Sequence, residues 1–360
     1  MTPLEDTLLA LCAIPSFTGE EGPLCDDVQA RCVRLLGEPR VARDGHSLVV
    51  EAPAPQGLPR VVLAGHLDVV RTEHDGPPRL DGERIYGPGA ADMKSGLAVM
   101  LHLLDDIARG RALRYAPTFV FYEREEGPYL ENRLGDLLEH FPALREAALA
   151  VCLEPSGNEM QLGCVGSLHA RVHFRGRTAH SARPWQGENA IHKAGEFLQR
   201  LGARGVGELT LDGMTYREVI SATLAEGGRG RNVIPDRFTL NVNHRFAPGR
   251  TDLDAEADLL VLVDGAADIE VYDRSPSAPP FATHPLVQHL AACGVTGVAP
   301  KQAWTDVARF ALHGVAAVNL GPGTAAQAHQ RNEWTDRGDL QRGYDLFASW
   351  LFADGSAPRA

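Results

Sequence analysis

Short apolar segments alternate with amphipathic segments along the first part of the chain. Apolar runs bounded by polar residues predict buried strands, whereas apolar positions that recur every three or four residues predict helices. The predicted strands are 47–52, 60–64, 118–122 and 147–153, and the predicted helices are 3–13, 22–36 and one that follows Asp92. This order is typical of an α/β sheet that is covered by helices on both faces.

The middle of the chain has a different pattern. Alternating polar and apolar positions predict half-exposed strands at 167–174, 217–225, 238–244 and 268–273, with helices at 188–201 and 253–263. The order βαββαβ predicts a separate, small antiparallel α+β domain. After a proline-rich stretch the α/β pattern returns. We therefore predict a larger domain of residues 1–166 and 277–360 that is interrupted by an inserted domain of residues 167–276.

Composition limits the partners that the chain can have. A length of 360 residues with 44% hydrophobic content is sufficient for two domains with buried cores. The formal net charge of -12 disfavours nucleic acid and anionic lipid, and no segment approaches the roughly 20 apolar residues of a membrane span. The six cysteines lack CxxC spacing, which predicts reduced thiols. Together these features predict a soluble, cytoplasmic protein without disulfides and without nucleic acid or membrane partners.

Polar residues follow the ends of several predicted strands, where the chemistry of an α/β sheet collects. The candidates are His66, Asp68, Asp92, Glu123, Glu125, Glu126, Glu154 and His329. Each alone has a simpler explanation as a hydrogen-bonded structural histidine, an N-cap aspartate or a solvated loop carboxylate. Together they supply two imidazoles and several carboxylates, a ligand set that suits Zn²⁺ with an open position for water. The sequence therefore predicts a metal site.

Two spacings suggest separate roles for some of these candidates. Period-two alternation places Asp68 on the same side as His66, where a carboxylate can hold the imidazole in the tautomer that a metal requires. Glu125 and Glu126 are adjacent, and neighbouring side chains of an extended chain point to opposite faces. One glutamate can then bind a metal while the other handles protons, and a dinuclear hydrolytic site needs both functions.

Five motifs, in order along nearly the whole chain, resemble those of the di-zinc metallopeptidase family of aminoacylases, acetylornithine deacetylases and succinyl-diaminopimelate desuccinylases. They are residues 65–70 (GHLDVV), 87–96 (GPGAADMKSG), 125–126 (EE), 154–155 (EP) and 328–329 (AH). The resemblance implies two zinc ions per subunit, with Co²⁺ as a possible substitute. One ion would be bound by His66, Asp92 and Glu154. The other would be bound by Glu126, His329 and the bridging Asp92.

The same resemblance implies further roles and a fold. Glu125 would be the general base, Asp68 would orient His66, and the peptide between Asp92 and Met93 would be cis. The larger domain would be a mixed-sheet zinc-peptidase catalytic domain, and the inserted domain would be a ferredoxin-like lid. Residues 176–191 resemble the lid segment through which family members form a homodimer. There His180 would reach into the active site of the partner subunit, although by itself it is typical of an exposed loop residue.

Several further segments resemble the desuccinylases of this family, particularly the actinobacterial form. These segments are residues 212–218, 227–236, 243–246, 304–310, 321–323 and 329–333. The implied reaction removes the succinyl group of N-succinyl-L,L-diaminopimelate and gives L,L-diaminopimelate and succinate, for the biosynthesis of lysine and cell-wall precursors. Because this N-acyl amino acid carries three carboxylates, Arg245 is the first candidate to bind one of them. The candidate hydrogen-bonding partners are Asn232, Thr305, Gly323 and Asn332.

Alternatives remain open at this point. Arg245 could instead pair with a surface acid. Cys164 and Val165 stand where some desuccinylases have a basic residue, so an N-acetylornithine or N-acetylcitrulline deacetylase, which shares the metal residues, is a second candidate. A non-catalytic, zinc-dependent binding protein is a third, but the presence of Glu125 and Asp68 argues against it because a pure binder needs no base.

Overall fold

The structure is a computed structural model that describes residues 1–353, and residues 354–360 lie outside the described part. The chain forms two compact units. Unit 1 consists of Met1–Gly163, Pro280–Pro300 and the chain from Thr305 onward, and unit 2 consists of Cys164–Pro279 and Lys301–Trp304. Unit 2 thus begins and ends near residues 167 and 276, the limits expected for the inserted domain, and it also contains a short segment that the sequence pattern assigns to the larger domain.

Side-chain hydrogen bonds explain why Lys301–Trp304 belongs to unit 2. Gln302 donates to the carbonyl of Thr215 and accepts from the amide of Arg217, both at 3.0 Å. The indole of Trp304 donates to the carbonyl of Pro276 at 3.0 Å. These contacts join positions that are distant in sequence, so hydrophobic periodicity along the chain does not reveal them.

The first part of unit 1 contains strands and helices in alternation. Its strands are β1 (Val41–Asp44), β2 (Ser47–Glu51), β3 (Arg60–His66), β4 (Arg79–Asp81), β5 (Arg84–Tyr86), β6 (Ala116–Tyr122), β7 (Leu149–Cys152) and β8 (Met160–Leu162). Its helices are α1 (Pro3–Ala13), α2 (Gly22–Leu36), α3 (Lys94–Ala108), α4 (Leu134–His140) and α5 (Pro142–Arg145). Helix α1 begins after a capping box in which Thr2 and Glu5 satisfy each other's backbone amides.

Unit 2 follows, and the chain then returns to unit 1. The strands of unit 2 are β9 (Gly166–Arg175), β10 (Ala179–His180), β11 (Gly207–Leu211), β12 (Met214–Gly227), β13 (Val233–Ile234), β14 (Arg237–Phe246) and β15 (Asp268–Ser275). Its helices are α6 (Ala190–Lys193), α7 (Gly195–Ala203) and α8 (Asp252–Val263). The returning part of unit 1 contains α9 (Pro285–Ala291), β16 (Val298–Pro300), α10 (Val307–Leu312), β17 (Ala317–Asn319), β18 (Trp334–Asp336) and α11 (Arg337–Leu351).

The main sheet of unit 1 is mixed. Its strand order is β1-β2-β6-β3-β7-β17-β8-β16. Strands β6, β3, β7 and β17 are parallel neighbours, whereas β2 is antiparallel to β6, and β8 is antiparallel to β17 and parallel to β16. β3 and β6 are buried along almost their whole length and β7 throughout, as expected of strands covered on both faces. The predicted α/β class is confirmed, and β17 shows that the returning chain completes the centre of this sheet.

Unit 2 contains an antiparallel sheet with the order β11-β12-β14-β9-β15. Alternate residues of β9, among them Val172 and Phe174, pack against Phe197 of α7 and Leu259 of α8. The predicted βαββαβ order is present, with β11 as an additional edge strand. The single helix predicted at 188–201 is instead two helices, α6 and α7, and α6 begins at Ala190, where the side chain of Asn189 caps the amides that follow it. Among residues 1–353, none of the helices has the length and apolar character that a bilayer crossing requires.

Candidate metal centre

Three neighbouring strands of the unit 1 sheet end at the same edge. Because β6, β3 and β7 are adjacent and parallel, their carboxyl ends lie together. His66 is the last residue of β3, and Glu154 follows β7. Glu125 and Glu126 follow β6. The fold of unit 1 therefore gathers one imidazole and three carboxylates from separate parts of the sequence.

Asp92 and His329 reach the same edge from loops, and Asp92 lies between the two histidines. Its Oδ1 atom is 3.2 Å from Nε2 of His66, and its Oδ2 atom is 3.7 Å from Nε2 of His329. Glu154 Oε1 lies 3.9 Å from Nε2 of His66. Glu126 Oε1 lies 2.8 Å from Nε2 of His329. Asp92 thus presents one oxygen atom to each half of the cluster.

The ligand atoms form two groups that share this aspartate. His66, Asp92 and Glu154 offer one group, in which all ligand atoms lie within 4.8 Å of one another. Asp92, Glu126 and His329 offer a second group with the same spacing. We call these five residues the metal cluster. The structure brings together all five residues that the sequence analysis proposes as ligands, and their role as ligands stays a prediction.

The backbone carbonyl of Asp68 determines which nitrogen of His66 is free. It lies 2.9 Å from Nδ1 of His66, and since a carbonyl only accepts, Nδ1 carries the proton. The lone pair of Nε2 then faces Asp92 and Glu154. The predicted contact through the carboxylate of Asp68 is not the one observed, because Oδ1 of Asp68 is 3.7 Å from Nδ1. The imidazole is held by the carbonyl instead.

The carboxylate of Asp68 makes other contacts. Its Oδ1 atom accepts the backbone amide of Glu125 at 2.9 Å, and its Oδ2 atom accepts the amide of Glu126 at 3.0 Å. The hydroxyl of Thr18 donates to Oδ2 at 3.1 Å. Thr18 has no role in the sequence analysis, since one threonine in an N-terminal loop carries no signal there.

Glu125 and Glu126 lie in a turn after β6 and not in extended chain. Arg124, directly before them, has a φ of 63°, in the left-handed region that few side chains adopt. Ligand atoms of both glutamates and of His66 lie within 4.8 Å of one another. The expectation that the two side chains point to opposite faces is therefore wrong, because the turn brings both carboxylates to the cluster.

Glu333 holds the loop that carries Asp92. Its Oε1 atom accepts the amides of Ala91 and Asp92 at 2.7 and 2.8 Å, and its Oε2 atom accepts that of Gly89 at 3.1 Å. Burial raises the pKa of Glu333 to about 7, against the opposing effect of these amides. The following peptide, Asp92–Met93, is cis, as expected. Glu333 has no role in the sequence analysis, where its only signal is its position in the segment 329–333.

The charges of the cluster favour protons or a cation. Burial, and next the negative charge of Glu154, raise the pKa of Glu125 well above its ordinary value. Burial opposes protonation of His66, but Asp92 and the other nearby carboxylates raise its pKa well above the usual value. The hydrogen bond to Glu126 is the first cause of the raised pKa of His329. Cations that bind such groups displace their protons, and imidazole nitrogens with carboxylate oxygens are donors that zinc accepts. The residues present therefore fit a pair of divalent metal ions.

Comparison with known proteins assigns the family. The sequence profile of peptidase family M20/M25/M40 matches residues 62–353, which is most of the chain. The chain belongs to this family. As a family member, it is a hydrolase that acts on amide bonds.

The chain is similar over most of its length to proteins named as desuccinylases. It is 37% identical over 350 residues to a putative succinyl-diaminopimelate desuccinylase of Mycobacterium tuberculosis, covering 97% of this chain and 98% of that protein. It is 38% identical over 330 residues to a succinyl-diaminopimelate desuccinylase of Corynebacterium glutamicum, covering 90% of this chain and 89% of that protein.

Solved structures of other peptidases have the same fold. An aminopeptidase (PepT) of Bacillus cereus superposes with a TM-score of 0.79 at 20% identity, covering 97% of both chains. A Bacillus subtilis protein described as a dinuclear metal-binding peptidase of the M20 family superposes with a TM-score of 0.69 at 14% identity, covering 96% of both chains. At these identities the likeness confirms the fold alone.

Three proposed substrate residues of this M20/M25/M40 member lie in unit 1. Thr305 is buried, and Gly323 has a φ of 80°. A Cβ atom at Gly323 would lie 2.7 Å from Oγ1 of Thr335, so no other residue fits there without movement. Asn332 accepts the amide of Asp75 at 2.7 Å and donates to its Oδ2 atom at 2.6 Å. The side chain of Asn332 is thus engaged in holding a loop of its own unit.

The other proposed residues lie in unit 2. His180 is exposed and pairs with Val233 where the short strands β10 and β13 run antiparallel. The amide of Ser181 donates to the carbonyl of Asn232 at 2.9 Å. The candidates His180, which precedes Ser181, and Asn232 therefore lie on neighbouring segments of unit 2. Nδ1 of His180 accepts the amide of Ala182 at 3.1 Å. This contact leaves the proton on Nε2, which is then available as a donor.

Arg245 differs from most arginines of unit 2. It is partly buried, burial lowers its pKa, and its Nε donates to Oδ1 of Asn243 at 3.0 Å. Within the described residues, no carboxylate lies within 4.0 Å of its guanidinium, so the alternative of an ion pair with a surface acid is not observed. Val165 is buried in a small apolar cluster with Tyr216 and Ala247. The basic residue that some desuccinylases have there is therefore replaced by apolar packing.

Proposed function

We propose that the chain uses two zinc ions to remove the succinyl group from N-succinyl-L,L-diaminopimelate, releasing L,L-diaminopimelate and succinate. The observation that carries the metal part of the proposal is the position of Asp92, which offers one oxygen to the side of each histidine. His66 and Glu154 would complete the first metal site. Glu126 and His329 would complete the second, and Co²⁺ would be a suitable substitute for zinc.

Glu125 is the proposed general base. Two zinc ions bound in the cluster would polarise the scissile carbonyl and make a water molecule more acidic. Glu125 lies within 4.8 Å of His66 and Glu126, close enough to the cluster to take the proton of the attacking water. It would then deliver that proton to the nitrogen of the leaving amine. Both steps use the same carboxylate, so its loss should affect turnover and spare metal binding.

The substrate assignment is supported by similarity and by charge. The relatives from Mycobacterium tuberculosis and Corynebacterium glutamicum are both named as succinyl-diaminopimelate desuccinylases. Arg245 is a partly buried cation without a carboxylate partner in the described chain, which suits the capture of a substrate carboxylate. Asn232, Thr305 and Gly323 are the proposed hydrogen-bonding partners. Such a substrate would place the enzyme in the cytoplasm, in lysine and cell-wall precursor biosynthesis.

A homodimer through unit 2 is part of the same proposal. Strand β11 pairs only with Met214–Glu218 of β12, although β12 continues to Gly227. Residues 221–227 of β12 are exposed, and natural proteins seldom leave a long strand edge uncovered. A second copy that pairs along this edge would form a two-fold interface. His180 would then act in the active site of the partner, with the proton on Nε2 directed at the oxygen where negative charge develops.

A substrate panel tests the proposal. The zinc-loaded protein is incubated with N-succinyl-L,L-diaminopimelate, N-acetyl-L-ornithine and N-acetyl-L-citrulline, and free succinate or acetate is measured. The expected result is succinate release with the highest kcat/KM for the succinyl substrate, and loss of that activity in Glu125→Gln. A higher kcat/KM for an N-acetyl substrate would assign the chain to the deacetylases. Release of neither acid would reject the proposed reaction.

A further inference from the structure

We propose that Asp68 positions the Glu125–Glu126 turn by binding its two backbone amides, and that Thr18 is a second positioning residue that fixes the carboxylate of Asp68. The roles of Glu125 as base and Glu126 as ligand rest on the proposed function. The contacts of Asp68 and Thr18 do not depend on the proposed function. In this arrangement Asp68 acts on the proton-handling half of the site, while its main chain, not its side chain, orients His66.

The contacts of Asp68 separate these two tasks. Its side chain is fully buried, and its two oxygens accept the consecutive amides of Glu125 and Glu126 at 2.9 and 3.0 Å. The carboxylate is 3.7 Å from the nearest nitrogen of His66, whereas the carbonyl is 2.9 Å from it. The shorter and better directed bonds of the carboxylate are therefore those to the turn.

The turn has the backbone shape that such binding requires. Arg124 is in the left-handed region with a φ of 63°, and the amides of Glu125 and Glu126 converge on one carboxylate. Successive amides in a turn of this kind form a concave site for an anion. A negative charge at Asp68 therefore stabilises a backbone conformation that is otherwise unfavourable, and this conformation brings both glutamate side chains to the cluster.

Thr18 approaches Asp68 from the N-terminal loop. The amide of Val69 donates to the carbonyl of Ser16 at 2.9 Å, and Phe17 forms a parallel bridge with Val69. The loop thus runs beside the residues that follow His66 and carries the Thr18 hydroxyl to 3.1 Å from Oδ2 of Asp68. Oδ2 is also the atom that accepts the amide of Glu126. Loss of the hydroxyl should loosen the Glu126 end of the turn.

Amide exchange in the metal-free protein tests this inference without reference to activity. Hydrogen–deuterium exchange at Glu125 and Glu126 is compared in wild type, Thr18→Val and Thr18→Ser. Valine keeps the shape of threonine and lacks the hydroxyl, whereas serine keeps the hydroxyl and is the matched control. Asp68→Asn, which keeps the size and loses the charge, is the stronger variant. We expect exchange at these amides to accelerate at least about tenfold in Asp68→Asn, less in Thr18→Val, and little in Thr18→Ser.

A second measurement separates this role from a role in orienting His66. Zinc titration of each variant gives the affinity of each metal equivalent, and the kinetics give kcat and KM. We expect Thr18→Val to lower kcat with little change in KM. The zinc affinity of the site that contains His66 should not change. Unchanged exchange at Glu125 and Glu126, together with weaker zinc binding, would overturn the inference in favour of the His66 role. Because the exchange needs no substrate, failure of the proposed reaction would not alter its outcome.

Discussion

The metal cluster of unit 1 and the candidate residues of unit 2 are held in different ways. Each residue of the metal cluster has partners within its own unit, and short distances link His66, Asp92 and His329 into one group. Within residues 1–353, the hydrogen bonds of the His180 and Arg245 side chains are one to a backbone amide and one to an asparagine, respectively, and Arg245 also feels the charge of Asp273. This difference indicates that the cluster is held in place by contacts within unit 1. Under the proposed function, the unit 2 residues would gain their partners from a substrate or a second chain.

Removal of the metal ions should have the largest effect on activity, and it tests the metal cluster of unit 1. We expect a chelator to reduce amide hydrolysis to undetectable levels and two equivalents of zinc per chain to restore it, since both groups of ligands share Asp92. Metal analysis of the restored enzyme measures the stoichiometry. Full activity at a single saturating equivalent would contradict the division of the cluster into two sites.

Glu125→Gln should have the second-largest effect on activity. We expect kcat to fall by at least about 10²-fold, because a positioned acid–base group contributes that much, while the zinc content stays at the wild-type value. The matched control is Glu131→Gln, an exposed acid after the same turn that pairs with Arg124. Wild-type turnover in Glu125→Gln with both metals bound would assign the base to another residue.

His180→Ala tests the other half of the comparison. A donor directed at the developing oxyanion contributes about 3 kcal/mol, so we expect kcat to fall by about 10²-fold without loss of zinc. The location of its action is tested by mixing inactive His180→Ala subunits with inactive Glu125→Gln subunits. If His180 acts across a dimer, each heterodimer has one site with both defects and one site with neither. About one quarter of wild-type activity should then return after random exchange.

The result of the mixing experiment depends on exchange between subunits. Exchange is measured independently, for instance by energy transfer between labelled subunits. If subunits exchange and activity does not return, His180 acts within its own chain and not in the site of the partner. That outcome would also remove the main reason to regard the unit 2 loops as an incomplete site.

The sequence predicts more of the metal cluster than of the residues that hold the cluster in position. Three of the five cluster residues, His66, Glu126 and Glu154, lie at or just after the ends of apolar strands such as β3 and β6, and the apolar pattern and length of these strands can be recognised in the sequence. The strands that were missed, such as β4, β11 and β18, are short, and β4 and β18 have three residues each. Glu333 accepts backbone amides that are distant in sequence, and the hydroxyl of Thr18 donates to the distant carboxylate of Asp68. Arg124 adopts its left-handed conformation in a turn that tertiary contacts stabilise. Such contacts leave no periodic signal.

Arg245→Ala should have a smaller effect, on substrate binding. Removal of a charged hydrogen-bonding partner is expected to raise KM for N-succinyl-L,L-diaminopimelate by about tenfold or more, with the zinc content unchanged. Arg171→Ala is the matched control, since Arg171 is on β9 of the same sheet and pairs with Glu270 at 3.2 Å. Equal KM values for both variants would mean that the missing carboxylate partner of Arg245 is not the substrate.

The smallest effect on catalysis is expected for Asn332→Ala, although Asn332 is three residues from His329 and is a substrate candidate by sequence. Its side chain accepts the amide of Asp75 and donates to the Asp75 carboxylate, so the groups that could bind substrate are already engaged. We expect kcat/KM to change by less than about threefold, because no contact to the substrate is lost, and urea unfolding to show a small decrease in the free energy of unfolding.

Asn332→Asp is the control, since it keeps the acceptor for the amide and places a second negative charge beside Asp75. If KM instead rises as far as in Arg245→Ala while stability is unchanged, Asn332 leaves Asp75 to bind substrate. The contrast between a self-sufficient unit 1 and an incomplete unit 2 would then fail at this residue.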